Sequence, residues 1–138
     1  MNILWHNFKK MPFLLKFFTF HASVFLIALP LSFVPIAEPE MYGKKISFVE
    51  FWQSGMALIF IYLGIFFPAS AYLMLRRHRY GRIAYLSSFG MFIMICSIFE
   101  YIQKGGTSSL FPLLISYIFL VLYFYCRKPA KEYFIENF

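Results

Sequence analysis

The sequence predicts an all-α integral membrane protein whose four transmembrane helices form an up-down bundle, and three observations lead to that class. Apolar residues make up 61% of the 138 residues and charged residues only 14%, whereas soluble domains average about 45–50% and about 25%. The apolar residues fall into four continuous runs, at 17–36, 55–75, 83–102 and 110–126. Nearly all Lys and Arg residues lie between these runs.

The runs match the thickness of a membrane. They contain between 17 and 21 residues, and a helix needs roughly 20 residues to cross the hydrocarbon core. A soluble domain of this size could not bury so much apolar surface, and disordered chains are poor in apolar residues. We therefore expect a single four-helix membrane domain over residues 1–138.

Orientation follows from the distribution of the thirteen Lys and Arg residues. Lys44, Lys45 and Lys104 lie in the first and third loops, and the other ten lie in the N-terminal segment, the second loop and the tail. Basic residues favour the cytoplasmic side of a membrane. We expect an N-in/C-in topology in the inner membrane of a bacterium, with short interfacial segments at both termini.

The first run follows Lys9, Lys10 and Lys16, so it has to be distinguished from a cleaved signal peptide. It is longer than the apolar region of such a peptide, which has about 7–15 residues. The sequence at 35–37 is also a poor cleavage site. We expect this run to be retained as the first helix.

The second helix is predicted to begin before its apolar run. Ser47 and Glu50 have the spacing of a capping box, in which each side chain accepts the backbone N–H of the other residue. The helix would therefore start near Ser47, outside the membrane, and continue to about Arg77. Trp52 would lie at the interface, where aromatic residues are enriched.

Prolines and small residues indicate where the helices bend and pack. Pro30 removes the N–H that would bond the carbonyl of Leu26, and Pro68 does the same to that of Gly64. Helices in lipid associate closely at small residues. A tight hairpin of the second and third helices is expected to pack at Ala69, Ser70, Ala71, Ala84, Ser87, Ser88 and Gly90.

Two ionisable residues fall within or beside the predicted spans. His21 is expected about 7 Å into the membrane from the inner side, and Glu100 near the outer end of the third helix. Such groups are functional candidates by default. Each also has a structural alternative: a neutral His21 bonded to a nearby hydroxyl, and an ion pair of Glu100 with Lys104 one turn later.

Residues 76–82 carry the densest run of positive charge. Arg76, Arg77, Arg79 and Arg82 serve as a topology anchor, and they are the candidate docking residues for anionic lipid head groups or an acidic partner. Nucleic acid is not expected as a partner, because no soluble module accompanies the cluster.

The sequence predicts no catalytic, cofactor or metal site. Hydrolase, metalloprotease, P-loop and dinucleotide-binding patterns are all missing, and the three His residues have no carboxylate at metal-ligand spacing. Cys96 and Cys126 are expected at different depths, too far apart for a disulfide.

Three classes of function remain open. The first is a non-catalytic multi-pass protein that acts through lipids and another membrane protein, or a second copy, as an accessory subunit, assembly factor or toxin-immunity protein. The alternative is a small oligomeric transporter or channel using His21 and Glu100. The third is a membrane enzyme whose cofactor comes from a partner.

Overall fold

The computed structural model describes residues 3–35, 40–41, 44–106 and 110–135, and this part of the chain is almost entirely helical. A two-residue antiparallel pairing joins Glu40 to Lys45 and Met41 to Lys44. The elements in chain order are α1 (Ile3–Lys10), α2 (Phe13–Val24), a 3₁₀ turn (Phe25–Ile27), α3 (Ala28–Leu31), β1 (Glu40–Met41), β2 (Lys44–Lys45), α4 (Phe48–Gln53), α5 (Met56–Leu75), α6 (Gly81–Lys104), α7 (Leu110–Cys126) and α8 (Lys128–Ile135).

Three helical stretches of the described residues are long and apolar enough to cross a membrane: Phe13–Leu31, Met56–Leu75 and Gly81–Ile102. A fourth stretch, Leu110–Cys126, has 17 residues. It reaches the length of a span together with Lys128–Phe134, from which it is bent by 65°. The predicted class, a helical multi-pass membrane protein, is confirmed, and the described residues contain three helices of spanning character, or four if the bent pair is one span.

The first membrane helix differs from the predicted 17–36 at both ends. It begins at Phe13, directly after Pro12, and its helical hydrogen bonding ends at Leu31. Position 36 lies outside the described residues. The 3₁₀ turn at Phe25–Ile27 falls where Pro30 leaves the carbonyl of Leu26 without its α-helical donor, so the predicted disturbance at Leu26 appears as a change of helix type.

The capping box is confirmed, but the single helix predicted from Ser47 to Arg77 is wrong. The N–H of Ser47 donates to Glu50 Oε2 at 2.7 Å, and the N–H of Glu50 donates to Ser47 Oγ at 3.2 Å. Helix α4 then ends at Gln53, and α5 starts at Met56. Gly55 separates them with a φ of 83°, a left-handed conformation that ends helices and that glycine adopts without strain.

Helix α5 lies at the centre of the bundle, and it approaches the first membrane helix closely at Gly64. A Cβ built on Gly64 would lie 2.7 Å from both the Cβ and the backbone N of Leu29. The absence of a side chain at this position lets the two backbones meet. Helix α5 is continuous through Pro68, so the kink expected there stays a prediction.

The predicted contact between the second and third membrane helices holds for some of the small residues and not for others. Ser70, Ala71 and Ser88 are buried, and the backbone carbonyl of Ser88 accepts a hydrogen bond from Tyr62 Oη at 2.9 Å. Ala69 and Ser87 are exposed on the outside of the pair. Ala84 and Gly90 also belong to α6. The nearest atoms to a Cβ built on Gly90 are those of Tyr117 in α7, so this glycine does not contribute to the contact with α5.

An aromatic core fills the bundle where α6 begins and α7 ends. Tyr85 is its centre, with ring centroids at 5.9 Å from Phe67, 5.8 Å from Phe124 and 6.0 Å from Phe18. These rings come from four different helices. The core therefore ties all the membrane helices together near the end of the bundle that carries the 76–80 loop, which we call the basic end.

Candidate functional site

The basic end is built from three segments that are distant in sequence. Asn7 of α1 donates from Nδ2 to the carbonyl of Leu75 at 2.9 Å. Tyr133 of α8 donates from its hydroxyl to the carbonyl of Met74 at 3.2 Å. Both hydrogen bonds use carbonyls in the last turn of α5, so both terminal helices are held against the start of the 76–80 loop.

The loop itself has a defined conformation. The N–H of Arg77 donates to the carbonyl of Met74 at 3.0 Å, and that of His78 to the carbonyl of Leu73 at 2.9 Å. These two bonds are the Schellman pattern of helix termination. Its left-handed position is occupied by Arg77, whose φ is 54°, rather than by the usual glycine. Gly81 then starts α6 so close to α5 that an added Cβ would lie 3.0 Å from the backbone N of Met74.

The four arginines of the predicted docking cluster each lie over a tyrosine ring. The distances from the guanidinium carbon to the ring centroid are 5.2 Å for Arg76 over Tyr72, 4.5 Å for Arg77 over Tyr133, 4.5 Å for Arg79 over Tyr80 and 5.0 Å for Arg82 over Tyr125. We call these eight residues the arginine–tyrosine surface. A cation over an aromatic ring is attracted to it, and the contact restricts the long side chain.

Sequence reasoning identified the arginines of this surface and missed the tyrosines. The pair Tyr72 and Arg76 has the spacing of one helical turn, a local signal that could have been used. Tyr125 and Tyr133 belong to α7 and α8 and approach the loop only in the folded chain. No local pattern in the sequence relates them to Arg82 and Arg77.

His21 lies on the outside of the bundle and not in its interior. Its ring packs edge-on against Phe25 at 4.9 Å and is stacked with Phe17 at 6.2 Å. It also lines a groove of about 430 Å³ that reaches Tyr85 and Ser116. Among the described residues, the contacts found for this histidine are with aromatic rings, and a hydrogen bond to a hydroxyl stays a prediction.

Glu100 lies far from His21 along the bundle. It is only 8% exposed, and it lies 19 residues after the start of α6, about 28 Å along that helix from the basic end. His21 lies 8 residues after the start of α2, about 12 Å from the same end. The side chain of Lys104, its predicted partner, is outside the described residues. The structure does not bring His21 and Glu100 together.

The remaining chemistry of the described residues is sparse. Cys96 and Cys126 are both free thiols. Within the ranges that the structure describes, no three His, Cys, Asp or Glu side chains are grouped so that they could hold a metal ion.

Comparisons of this chain with protein-family models, with curated proteins and with solved structures give no match.

Proposed function

We propose that this chain is a non-catalytic membrane protein that acts through contacts with anionic lipid and with another membrane protein, as an accessory subunit, an assembly factor or a toxin-immunity protein. The observation that carries the proposal is the arginine–tyrosine surface. Four cations are held on aromatic rings at one end of the bundle, where the two terminal helices also dock.

The proposed topology has four spans, with both termini and the 76–80 loop in the cytoplasm of a bacterium and the bundle in its inner membrane. Ten of the thirteen basic residues lie before the first apolar run, between the second and third runs, or after the fourth run. Basic loops are retained on the cytoplasmic side, and that leaflet carries the anionic lipids. The fourth span is α7, and α8 lies at the interface after the 65° bend.

The proposed action of the surface follows from the shape of the guanidinium group. The guanidinium keeps its positive charge over an aromatic ring, and its planar fork of N–H groups matches the oxygens of a phosphate or a carboxylate. The ring also reduces the rotamer entropy that the arginine would lose on binding. A set of arginines held in this way is suited to an acidic partner or lipid head groups.

The competing proposal, a small transporter or channel, is supported by one observation: Glu100, an ionisable residue of a membrane helix, is buried. A proton-coupled carrier needs such a group to be reached from both sides. His21 on the outer surface of α2 does not supply the second half of a path within one copy. We expect purified protein in liposomes to show no proton or cation flux above that of empty vesicles, and flux that disappears in the double variant His21→Ala, Glu100→Gln would favour the transporter.

The main proposal is tested by purification in mild detergent, with identification of co-purifying protein and lipid. A variant carrying Arg76→Gln and Arg79→Gln, both exposed positions, should lose the partner or the anionic lipid. A control carrying Lys128→Gln and Lys131→Gln removes the same charge from α8 and should retain them. Equal retention by both variants would contradict the assignment of the contact to the arginines.

A further inference from the structure

A cleft of about 480 Å³ opens at the basic end, beside the arginine–tyrosine surface. It lies between the turn that joins α1 to α2, the 76–80 loop and α8. Its lining includes the following residues: Lys10, Met11, Pro12, Arg77, Glu132 and Tyr133. Three segments that are more than fifty residues apart thus contribute to one cavity.

The floor of the cleft is formed by buried, hydrogen-bonded side chains. Met11 and Tyr133 are each only 3% exposed, and the hydroxyl of Tyr133 is fixed by its hydrogen bond to the carbonyl of Met74 at 3.2 Å. Thr19 donates from Oγ1 to the sulfur of Met11 at 3.5 Å. Because these groups are already held in place, a ligand would meet a preformed cavity and would pay little ordering cost.

The charge of the cleft favours an anion. Lys10 and Arg77 contribute two cations to the lining, and Glu132 contributes one carboxylate. A carboxylate oxygen of Glu132 lies 3.7 Å from Lys128 Nζ, so its charge is partly offset from outside the cleft. The guanidinium of Arg77 lies over the ring of Tyr133, 4.5 Å from its centroid, and this contact holds the cation at the wall of the cleft.

The cleft lies beside the ends of two membrane helices, where the membrane surface is expected. The first membrane helix begins at Phe13, the residue after Pro12 of the lining, and α7 ends at Cys126, just before α8. Phe13 is 81% exposed, so an apolar surface starts beside the cleft and continues along the helix. A ligand with an anionic head and apolar chains would find both of its parts accommodated.

From this geometry we infer that the cleft is a specific site for the phosphate of an anionic glycerophospholipid, contacted by Lys10 and Arg77 on the floor formed by Tyr133. The inference rests on the proposed function, because it places one lipid contact beside the arginine–tyrosine surface. It goes further in separating a defined phosphate site from the general attraction of a basic surface for an anionic membrane.

The test uses full-length protein in mild detergent, titrated with phosphatidylglycerol or phosphatidylcholine and followed by native mass spectrometry. Lys10→Gln should weaken phosphatidylglycerol binding about fivefold, as expected for one cation near a lipid surface. Glu132→Gln should strengthen it, because it removes the carboxylate of the lining. Lys131→Gln is the matched control. Like Lys10→Gln it removes one positive charge, but Lys131 lies on α8 and does not line the cleft. All three positions are exposed, so these variants should fold.

A selective loss in Lys10→Gln together with a gain in Glu132→Gln supports the site. Equal losses of affinity in Lys10→Gln and Lys131→Gln would overturn the site. A loss of lipid preference confined to the Arg76→Gln, Arg79→Gln variant would also overturn the site, but the proposed function would stand. If the unmodified protein binds phosphatidylglycerol no better than phosphatidylcholine, both the site and the lipid part of the proposed function fail. Inorganic phosphate alone should not displace the lipid, and displacement at equal concentration would overturn the assignment to a lipid.

Discussion

Replacing Gly64 with Ala is a direct perturbation of the closest approach between the first membrane helix and α5. The added Cβ would lie 2.7 Å from the Cβ and the backbone N of Leu29, and 3.0 Å from its Cα. None of these three atoms can be moved by rotating a side chain. To restore the 3.4 Å at which ordinary contact begins, the two helices have to separate by about 0.7 Å.

The expected cost is that of overpacking a filled interior, about 1–3 kcal/mol. The higher helix propensity of Ala offsets up to about 1 kcal/mol of it. Because the new methyl group meets the backbone of Leu29 at 2.7 Å, the cost should lie in the upper part of that range, and a net loss of about 1–3 kcal/mol in the free energy of unfolding is expected. Gly90→Ala is the matched control, since it also lies inside a membrane helix and its Cβ would meet Tyr117 Oη at 3.4 Å. That variant should be as stable as the unmodified protein, or slightly more stable.

The measurement is reversible unfolding in mixed micelles, with thermal inactivation in detergent as a faster ranking. A further variant identifies the atoms responsible: Leu29→Ala keeps the Cβ, N and Cα that the new methyl group meets, so it should not rescue Gly64→Ala. Equal stability of Gly64→Ala and Gly90→Ala would refute the reasoning. Rescue by Leu29→Ala would refute it as well, because the clash would then involve the side chain beyond Cβ.

Three further predictions concern the loop, the cap and the topology. Arg77→Gly should be more stable than Arg77→Ala by about 1 kcal/mol in unfolding experiments. Both variants lose the contact with Tyr133, but only Ala keeps a Cβ at a φ of 54°. Equal stabilities of the two variants would contradict this reasoning. Hydrogen bonds from Ser47 lower the pKa of Glu50, so the cap stabilises the fold above the unfolded-state pKa and is lost as pH falls through the lower folded-state pKa. The melting temperature should therefore exceed that of Glu50→Gln at neutral pH and converge with it in acid, and a difference independent of pH would exclude the cap as its source. In a background without the native cysteines, a cysteine at position 79 should react with impermeant reagent only from the cytoplasmic side and one at position 44 only from outside; labelling of position 79 from outside would reverse the topology.

Patterns contained in one short stretch of sequence were predictable. The Ser47–Glu50 capping box depends on two side chains and the backbone between them, so its chemistry is complete in four residues. The run at 110–126 matches α7 residue for residue, because continuous hydropathy alone excludes that segment from water. Gly55 is the contrasting case: the helix predicted from Ser47 to Arg77 passes through it, and hydropathy does not register the left-handed turn that divides that helix.

The sequence by itself determined the helical membrane class and the clustering of positive charge at residues 76–82, since both depend on composition and spacing along the chain. The tertiary structure alone decided which partners these residues have. Arg77 meets Tyr133, Lys10 shares a cleft with both, and Gly64 lies against Leu29. Each of these contacts joins segments from different helices. Inside lipid the hydrophobic effect does not select one helix pairing over another, so shape and close packing choose the partners, and that information exists only when the helices have assembled.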